Sequence, residues 1–468
     1  MVVCSPGRFP SAIRLWPCGI RTAITLCRGD STLRLALILV LVAGAARSEV
    51  PTPVTDADYM PVSQAEARLG QLLFYDPILS GNRNIACATC HHPRFATSDG
   101  LSLGIGEGGI GLGPDRKPNP ANPPEQRIPR NATALFNLGA REFTILFHDG
   151  RIEADPSRPS GLRSPLEDDM VMGFASVLSA QTMFPVLSPD EMAGHYQEND
   201  VSTAVREGLI TGPGGAWSLL AERVGAIPEY KAMFDAAYPE IAAGRPIAFT
   251  DLSNAIAAFI AFEWRADRSA FDAMLRGGPP LPELAREGMD LFYGEAGCAA
   301  CHSGRFQTDH GFHAMGEPQI GPGKAERFES HSRDVGRMRV TNREEDAFAF
   351  RTPSLRNVTA TGPWGHDGAW SDLSAFLTHH SDPSVGLAGY DRGLAVLPSL
   401  DVAKSDWEIL DTPDEVGAIE AAAVPGRPLN PAEVAAIIAF LESLRDQGAI
   451  DGRLGIPQSV PSGLPIDR

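Results

Sequence analysis

The chain has 468 residues, of which 58 are acidic and 40 basic, a formal net charge of −18 and 43% hydrophobic residues. This composition predicts a folded protein long enough for two or three domains. So negative a charge argues against nucleic acid or an anionic membrane as a partner. It suits either plain solubility or the recruitment of a cationic partner.

An apolar run at residues 35–46 follows Arg28 and Arg34 and ends in small residues. Its length is typical of the hydrophobic region of a signal peptide and is short for a membrane span. We therefore predict a signal peptide at 1–48, with a buried core helix or an uncleaved anchor as the alternatives. Its removal takes away six arginines and one aspartate, which changes the net charge from −18 to −23. The remaining chain has no second apolar run, so no membrane span is expected in it.

Two copies of the Cys-x-x-Cys-His signature occur, at residues 87–91 and 298–302. The signature predicts c-type haem, because two thiols add to the vinyl groups of one porphyrin and the adjacent imidazole binds its iron. A zinc knuckle or a redox disulfide, the alternatives for a bare Cys-x-x-Cys, needs no such histidine. His92 is expected at the surface. The predicted attachment residues are Cys87, Cys90, Cys298 and Cys301, and the predicted iron ligands are His91 and His302.

The surroundings of the two haem motifs repeat. Apolar positions three and four apart predict amphipathic helices at 66–75 and 284–293, just before the motifs, and similar helices at 254–262 and 436–441 close the two halves. An early helix, a haem motif, long Gly- and Pro-rich loops and a late helix are typical of a c-type cytochrome domain. We predict a mainly α fold of two such domains, each wrapped around one covalent haem. The segments are 49–275 for the N-terminal domain, 276–450 for the C-terminal domain and 451–468 for a tail.

Further motifs follow one another in order along the chain. They are Leu73-Phe74-Tyr75-Asp76-Pro77, Arg130-Asn131-Ala132-Thr133, Asp149-Gly150-Arg151, Glu191-Met192, Thr352-Pro353-Ser354-Leu355-Arg356-Asn357 and Gly365-His366-Asp367-Gly368. Together with the haem motifs they resemble the bacterial di-haem cytochrome c peroxidase and MauG superfamily, and within it the MbnH-type di-haem enzymes. The resemblance implies a periplasmic oxidoreductase with two haems c that reacts with hydrogen peroxide. Covalent haem agrees with export, since c-type haem is attached on the oxidising side of the membrane.

The resemblance also implies a role for each haem. In the classical peroxidases, a loop after the first motif supplies a distal histidine, but residues 97–130 of this chain contain neither His nor Met. The first haem is therefore expected to be five-coordinate and open to peroxide, with Glu191 as the group that moves a proton. An ordinary surface carboxylate is the alternative for Glu191, and Asp190 and the acidic cluster at 167–169 are weaker candidates for its role.

At the second haem, the position of the sixth ligand falls on His380, where the classical peroxidases have Met. Bis-His ligation would lower the potential of this haem relative to His/Met ligation. His379 is the neighbour that a shift of one residue would select. A solvent-exposed histidine pair is the remaining interpretation.

Two further sites follow from the resemblance. His148 stands where the family usually has a Trp between the haems, and Trp364 is an alternative aromatic relay for electrons, unless it serves only core packing. A calcium ion between the haems would be bound by the Asn131 side chain and by the backbone carbonyls of Thr361 and Pro363. Hard oxygen ligands of this kind suit calcium.

Three functions are open on these grounds. The first is oxidation of a secreted partner protein, MbnH-like or MauG-like and at Trp, and the missing loop histidine favours it. The second is detoxification of hydrogen peroxide with electrons from a small cytochrome or cupredoxin. The third is a non-catalytic di-haem electron carrier, which would have two six-coordinate haems.

Overall fold

Helices dominate the computed structural model, which describes residues 49–324, 331–401 and 404–468. The predicted signal peptide at 1–48 therefore lies outside the described residues. The described part of the chain contains sixteen α-helices, most of them short. They are α1 Gln64–Tyr75, α2 Cys87–Cys90, α3 Val177–Gln181, α4 Asp200–Arg206, α5 Ala216–Gly225, α6 Pro228–Ala237, α7 Pro239–Ala242, α8 Phe249–Glu263, α9 Ala270–Leu275, α10 Glu283–Phe292, α11 Met338–Thr341, α12 Leu373–Ser381, α13 Pro383–Ala388, α14 Pro413–Ala422, α15 Pro431–Ser443 and α16 Gln447–Asp451.

Within the described ranges, the strands are two or three residues long and form three small antiparallel sheets. Strands β1 (Gly109–Ile110) and β2 (Lys117–Pro118) pair with Gly109 opposite Pro118. The central sheet has the order β3-β4-β5, and the third sheet pairs β6 with β7. These strands are β3 Ile145–Leu146, β4 Ile152–Ala154, β5 Leu162–Arg163, β6 Phe312–His313 and β7 Phe350–Arg351. The mainly α prediction is confirmed, with long irregular segments between the helices.

Two helix pairs built on the same plan organise the two halves. Helix α1 packs on α8, and α10 packs on α15. A Cβ atom at Gly70 of α1 would overlap the carbonyl oxygen of Ala255, and one at Gly288 of α10 would overlap that of Ala436. Glycine therefore lets the two backbones of each pair approach closely. The internal repeat in the sequence corresponds to a repeated helix crossing.

Gly70→Ala and Gly288→Ala are each expected to destabilise the haem-loaded protein by about 1–3 kcal/mol, because the added methyl group forces the paired helices apart. Gly417→Ala is the matched control. Gly417 lies in α14 and is exposed, and a Cβ there meets no atom within 4 Å. This replacement should stabilise the protein by about 0.5–1 kcal/mol, since Gly is unfavourable inside a helix. Thermal unfolding midpoints measure all three changes, and equal effects at the three sites would contradict the close crossing.

The hydrophobic core follows the same division. The largest cluster is built mainly from residues of the N-terminal half, and a second cluster joins Phe271 and Phe292 to Phe440 in the C-terminal half. Asp272 of α9 and Arg356 form an ion pair at 2.8 Å with both side chains fully buried. Removing one partner of such a pair is costly because it leaves a buried charge unpaired. The boundary near residue 276 stays a prediction.

The C-terminal tail, residues 451–468, packs on the N-terminal half. Its amide groups at Leu454 and Gly455 donate to the carboxylate of Glu263 at 2.6 and 2.8 Å. Further along, the Ser462 hydroxyl donates to Asp76 at 2.7 Å. The last residues of the chain therefore lie close to the first Cys-x-x-Cys-His motif.

Candidate functional site

The first Cys-x-x-Cys-His motif forms a single helical turn, α2. The Thr89 hydroxyl, between the two cysteines, accepts the amide N–H of Ala86 at 3.0 Å and donates to the Asp467 carboxylate of the tail at 2.8 Å. Burial raises the pKa of Cys87 and of Cys90 to about 12, so both are thiols. A redox pair or a thiolate metal site needs a lowered thiol pKa. The surroundings therefore fit thiols destined for thioether bonds.

The second motif begins as a 3-10 turn, Cys298–Ala300. Burial raises the pKa of Cys298 to about 11 and also raises that of Cys301. All four cysteines of the described chain are free of disulfide bonds. The two motifs thus share cysteines free of disulfide bonds, which covalent attachment of haem requires.

The histidine after each pair of cysteines is oriented in the same way. His91 Nδ1 lies 3.0 Å from the carbonyl oxygen of Thr97, and His302 Nδ1 lies 3.1 Å from that of Gln307. With Nδ1–H donated to a carbonyl, Nε2 carries the lone pair that binds a metal. Burial lowers the pKa of both histidines, which keeps the rings neutral as ligands must be. Both side chains fit the role of proximal iron ligand.

His380 lies opposite His302. The centres of the two rings are 6.3 Å apart and the ring planes meet at 45°. Two imidazole–metal bonds of about 2 Å each, with half a ring added at each end, give about 6 Å between ring centres. Burial lowers the pKa of His380 to about 4, so its ring is neutral. The spacing fits one iron held between the two rings.

His379, the alternative ligand, faces elsewhere. Its ring stacks on Trp370 with the centres 4.8 Å apart, and the side chain is 1% exposed. The two histidines are therefore not a solvent-exposed pair. In the part of the chain that the structure describes, no ring stands opposite His91 as His380 stands opposite His302.

Glu191 lies on a π-helical turn, Pro189–Ala193, and its amide N–H donates to the Ser188 hydroxyl at 3.3 Å. Burial raises the pKa of Glu191, with a further contribution from Asp190, while the positive charges of Lys324 and Arg151 oppose the rise. Burial is the main cause of the raised Cys90 pKa, the negative charge of Asp99 is the next cause that raises it, and the charge of Glu191 makes a smaller contribution. Glu191 therefore lies close enough to the first haem motif for its charge to be felt there. A carboxyl whose pKa lies closer to neutrality is suited to proton transfer.

The weaker carboxylate candidates have other surroundings. Asp190 accepts the Gln126 side-chain N–H at 2.9 Å. Residues 167–169 form an exposed 3-10 turn. Among these candidates, Glu191 has a pKa that burial raises, and its charge also contributes to the raised pKa of Cys90.

A glycine-rich loop packs against the turn that carries Glu191. The amide of Glu107 donates to the carbonyl of Asp190 at 2.8 Å, and a Cβ at Gly106 would overlap that same oxygen. The buried side chain of Arg116 fixes the loop by donating to the carbonyls of Gly111 at 2.6 Å, Gly106 at 2.8 Å and Ile105. Glycine and one buried arginine thus shape the segment that carries the distal histidine in the classical enzymes.

A buried network of charges lies between the two halves. Arg130 donates to Asp149 at 2.8 Å and, through two N–H groups, to Asp334 at 2.7 and 2.8 Å. Burial would raise the pKa of both carboxyls, but Arg130 holds it well below the usual range. The Phe350 ring lies between this arginine and His366, with its centre 5.6 Å from the guanidinium and 3.8 Å from the imidazole centre. Phe350 therefore links the network to the Gly-His-Asp-Gly motif.

The two predicted relay residues differ in their contacts. His148 Nε2 lies 3.2 Å from the Asn131 carbonyl, and burial together with Arg130 lowers its pKa to about 3. The ring is therefore neutral, beside the charged network. Trp364 donates its indole N–H to the Val358 carbonyl at 2.9 Å and is partly buried. Their relay roles stay predictions.

The predicted calcium ligands lie in one neighbourhood. The Asn131 side-chain nitrogen donates to the carbonyls of Leu101 at 2.7 Å and Ser102 at 3.3 Å, which leaves its oxygen for another partner. The Asn131 amide donates to the His366 carbonyl at 2.9 Å, three residues after Pro363. Thr361 and Pro363 flank Gly362 in that same segment. Oxygen donors of this kind suit calcium, and the site stays a prediction.

One surface prediction is wrong. His92 is 0% exposed, and its Nδ1 accepts the amide N–H of Arg94 at 3.2 Å. Its backbone pairs with Ser98, which closes the turn that aims the Thr97 carbonyl at His91. His92, directly after the motif, thus helps to hold the turn that orients His91.

The sequence did not reveal several residues of the site. Asp334, Glu317 and Trp370 lie outside the quoted motifs, yet they contact Arg130, His366 and His379 respectively.

The site defines a class of protein: an oxidoreductase with two c-type haem motifs of unlike surroundings. Comparison with known proteins agrees. The family model of di-haem cytochrome c peroxidases (CCP_MauG) matches residues 64–279. The chain is 30% identical to the methylamine utilization protein MauG of Methylorubrum extorquens over 370 aligned residues. These residues make up 78% of this chain and 82% of that protein. The chain belongs to the di-haem cytochrome c peroxidase and MauG family, and it is a di-haem peroxidase-type oxidoreductase.

Other relatives support the same placement. Cytochrome c551 peroxidase of Pseudomonas aeruginosa is 27% identical over 345 residues, which cover 74% of this chain and 80% of that protein. Among solved structures, a MauG-like protein associated with microbial copper homeostasis is 25% identical, with a TM-score of 0.54 over 86% of this chain and 95% of that one. The di-haem peroxidase BthA from Burkholderia thailandensis shares the fold at 20% identity, with a TM-score of 0.54 over 91% of this chain and 97% of that one.

The family implies haem c as the cofactor. No helix among the described residues has both the length and the apolar character needed to cross a membrane.

Proposed function

We propose that this protein is a periplasmic di-haem enzyme that activates hydrogen peroxide at the first haem site and oxidises a secreted partner protein. The observation that carries the proposal is the difference between the two sites. His302 faces the imidazole of His380 with the ring centres 6.3 Å apart, whereas His91 faces no such ring among the described residues. An iron with an open position can bind peroxide, and one closed by two imidazoles can transfer and store charge.

The haem-holding residues follow from this difference. Cys87 and Cys90 would attach the first haem, with His91 as its iron ligand. Cys298 and Cys301 would attach the second, with His302 and His380 on either side of its iron. The two haems would supply peroxide activation and the storage of oxidising equivalents, and the protein supplies orientation, burial and proton transfer.

Proton transfer falls to Glu191. Its carboxylate oxygen would take the proton from the peroxide oxygen that binds and return it to the oxygen that leaves. The raised pKa of Glu191 favours the return of the proton to the leaving oxygen. The positive charges of Lys324 and Arg151 keep the ionised form accessible, which is the form that takes the proton. Glycine at position 106 lets its loop approach the Glu191 turn closely, because a Cβ atom there would overlap the Asp190 carbonyl oxygen.

A protein substrate, oxidised at Trp, is the proposal for what the enzyme acts on. It rests on likeness to MauG and to the MauG-like protein associated with copper homeostasis. It also rests on the absence of His and Met from residues 97–130, because the gate of the classical enzymes uses that segment. Electrons would travel between the sites past His148, Trp364 and the proposed calcium site.

Detoxification of hydrogen peroxide is the second candidate. The likeness to cytochrome c551 peroxidase favours it, and the electrons would then come from a small cytochrome or cupredoxin. A non-catalytic electron carrier is a weaker third candidate, because it offers no role for the partly buried Glu191 carboxyl with its raised pKa.

Peroxide added to the ferric protein without a donor separates these functions. Protein oxidation predicts an absorption change that involves both haems and persists for minutes, and that decays faster when a Trp-containing partner is present. Detoxification predicts no such long-lived change, and rapid turnover of peroxide once reduced cytochrome c is added as the donor. No reaction with peroxide would overturn both enzymatic proposals and leave the electron carrier.

A further inference from the structure

A second cluster of metal-ligating side chains lies beside the turn that carries Glu191. It consists of Glu125, Asp190 and His195, whose ligand atoms all lie within 4.8 Å of one another. We propose that these three residues bind a divalent first-row transition metal ion such as zinc. We refer to them as the Glu125 cluster.

The orientation of His195 is the first argument. Its Nδ1 lies 3.3 Å from Glu198 Oε1, and its amide donates to Glu198 Oε2 at 2.8 Å. Glu198 is itself held by the Asn82 side chain, which donates to Oε2 at 2.6 Å. With Nδ1–H donated to this carboxylate, Nε2 carries the lone pair. A carboxylate behind the imidazole is the usual support of a metal-bound histidine.

The position of His195 Nε2 is the second argument. This atom is buried and has no hydrogen-bond partner among the described residues, and it lies 4.0 Å from Glu125 Oε1. A gap of that size is too long for a hydrogen bond, so a proton on Nε2 would leave the atom poorly satisfied. Two ligands of one zinc ion stand about 3.4 Å apart, given bonds of about 2.1 Å and tetrahedral angles. A small movement of Glu125, whose side chain is 52% exposed, closes the difference.

The donor set selects the class of metal. One imidazole nitrogen and two carboxylates suit zinc and its first-row neighbours, whereas calcium and magnesium prefer oxygen alone. Three protein ligands leave one tetrahedral position for water. The ion would join the loop that contains Glu125 to the π-helical turn at Asp190. Those segments already meet through Gln126, the neighbour of Glu125, whose side-chain N–H donates to Asp190 Oδ2 at 2.9 Å.

Zinc binding to the haem-loaded protein tests the proposal without any measurement of peroxide chemistry. The protein is stripped with a chelator, loaded with Zn²⁺, dialysed and analysed for metal content, and titrated with Zn²⁺ in a calorimeter. We expect the wild-type protein to hold one more zinc equivalent per chain than His195→Gln, and His195→Gln to bind at least tenfold more weakly at this site.

Two further variants make the result unambiguous. Glu125→Gln changes an exposed side chain, so it should fold normally and also lose the equivalent. His310→Gln is the matched control, because His310 Nε2 pairs with Glu142 at 3.2 Å without a third ligand. It should bind zinc as the wild-type protein does. Equal zinc content in all four proteins would overturn the proposal, while the haem-dependent function would stand or fall by its own tests.

Discussion

Glu191→Gln is expected to slow the reaction of the ferric protein with hydrogen peroxide by about 10²- to 10⁴-fold, the usual contribution of a positioned acid–base group. Glutamine keeps the size and burial of the side chain but neither accepts nor returns the proton. The absorption spectrum of the resting protein should not change, because Glu191 is not an iron ligand in this account. Stopped-flow absorbance after mixing with peroxide measures the rate.

The pH dependence of the same reaction adds a second signature. As a base, Glu191 must be ionised to take the peroxide proton, so the rate should rise with pH through the pKa of this carboxyl. Burial raises that pKa, and the acid limb should therefore lie above the usual range for Glu. Glu191→Gln should remove this limb.

Glu167→Gln serves as the control for Glu191, because it neutralises an exposed carboxylate in the acidic cluster at 167–169. Its peroxide rate and pH profile should match the wild type. A Glu191→Gln variant as fast as Glu167→Gln would remove Glu191 from the mechanism.

His380→Ala is expected to change the second haem from low-spin to high-spin, since it removes the imidazole opposite His302. Loss of that ligand should also raise the reduction potential of this haem. Low-temperature EPR and redox titration of the ferric protein measure the two effects. The ring spacing of 6.3 Å provides the physical reason.

His379→Gln is the matched control, because it changes the adjacent histidine of the same helix. The His379 ring stacks on Trp370, so the variant should keep a low-spin second haem. The opposite pattern, with His379→Gln high-spin and His380→Ala low-spin, would assign the ligand to the neighbour.

Much of the fold could be predicted because its signals are local. The amphipathic spacing before each haem motif gave α1 and α10, and the apolar runs later in each half gave α8 and α15. The Cys-x-x-Cys-His spacing indicated the proximal histidines, whose ring orientation then depends on a carbonyl five or six residues later. The residues that make these contacts are close in sequence, so a local sequence pattern can predict them.

The parts of the site that the sequence could not predict depend on contacts between residues far apart in the chain. Arg130 meets Asp334 across 204 positions, and His366 meets Glu317 across 49. No periodicity or motif in the sequence indicates such pairs. His92 illustrates another limit: polar character predicted exposure, but the turn around His91 buries it completely. The sequence likewise does not indicate that the His380 ring faces His302 while the His379 ring stacks on Trp370.

Low-temperature EPR of the resting ferric protein tests the proposed difference in coordination between the two haems. We expect one high-spin signal from the haem bound by His91 and one low-spin signal from the haem bound by His302 and His380. Two low-spin signals would contradict it, because the first haem would then have a sixth ligand and no open position for peroxide.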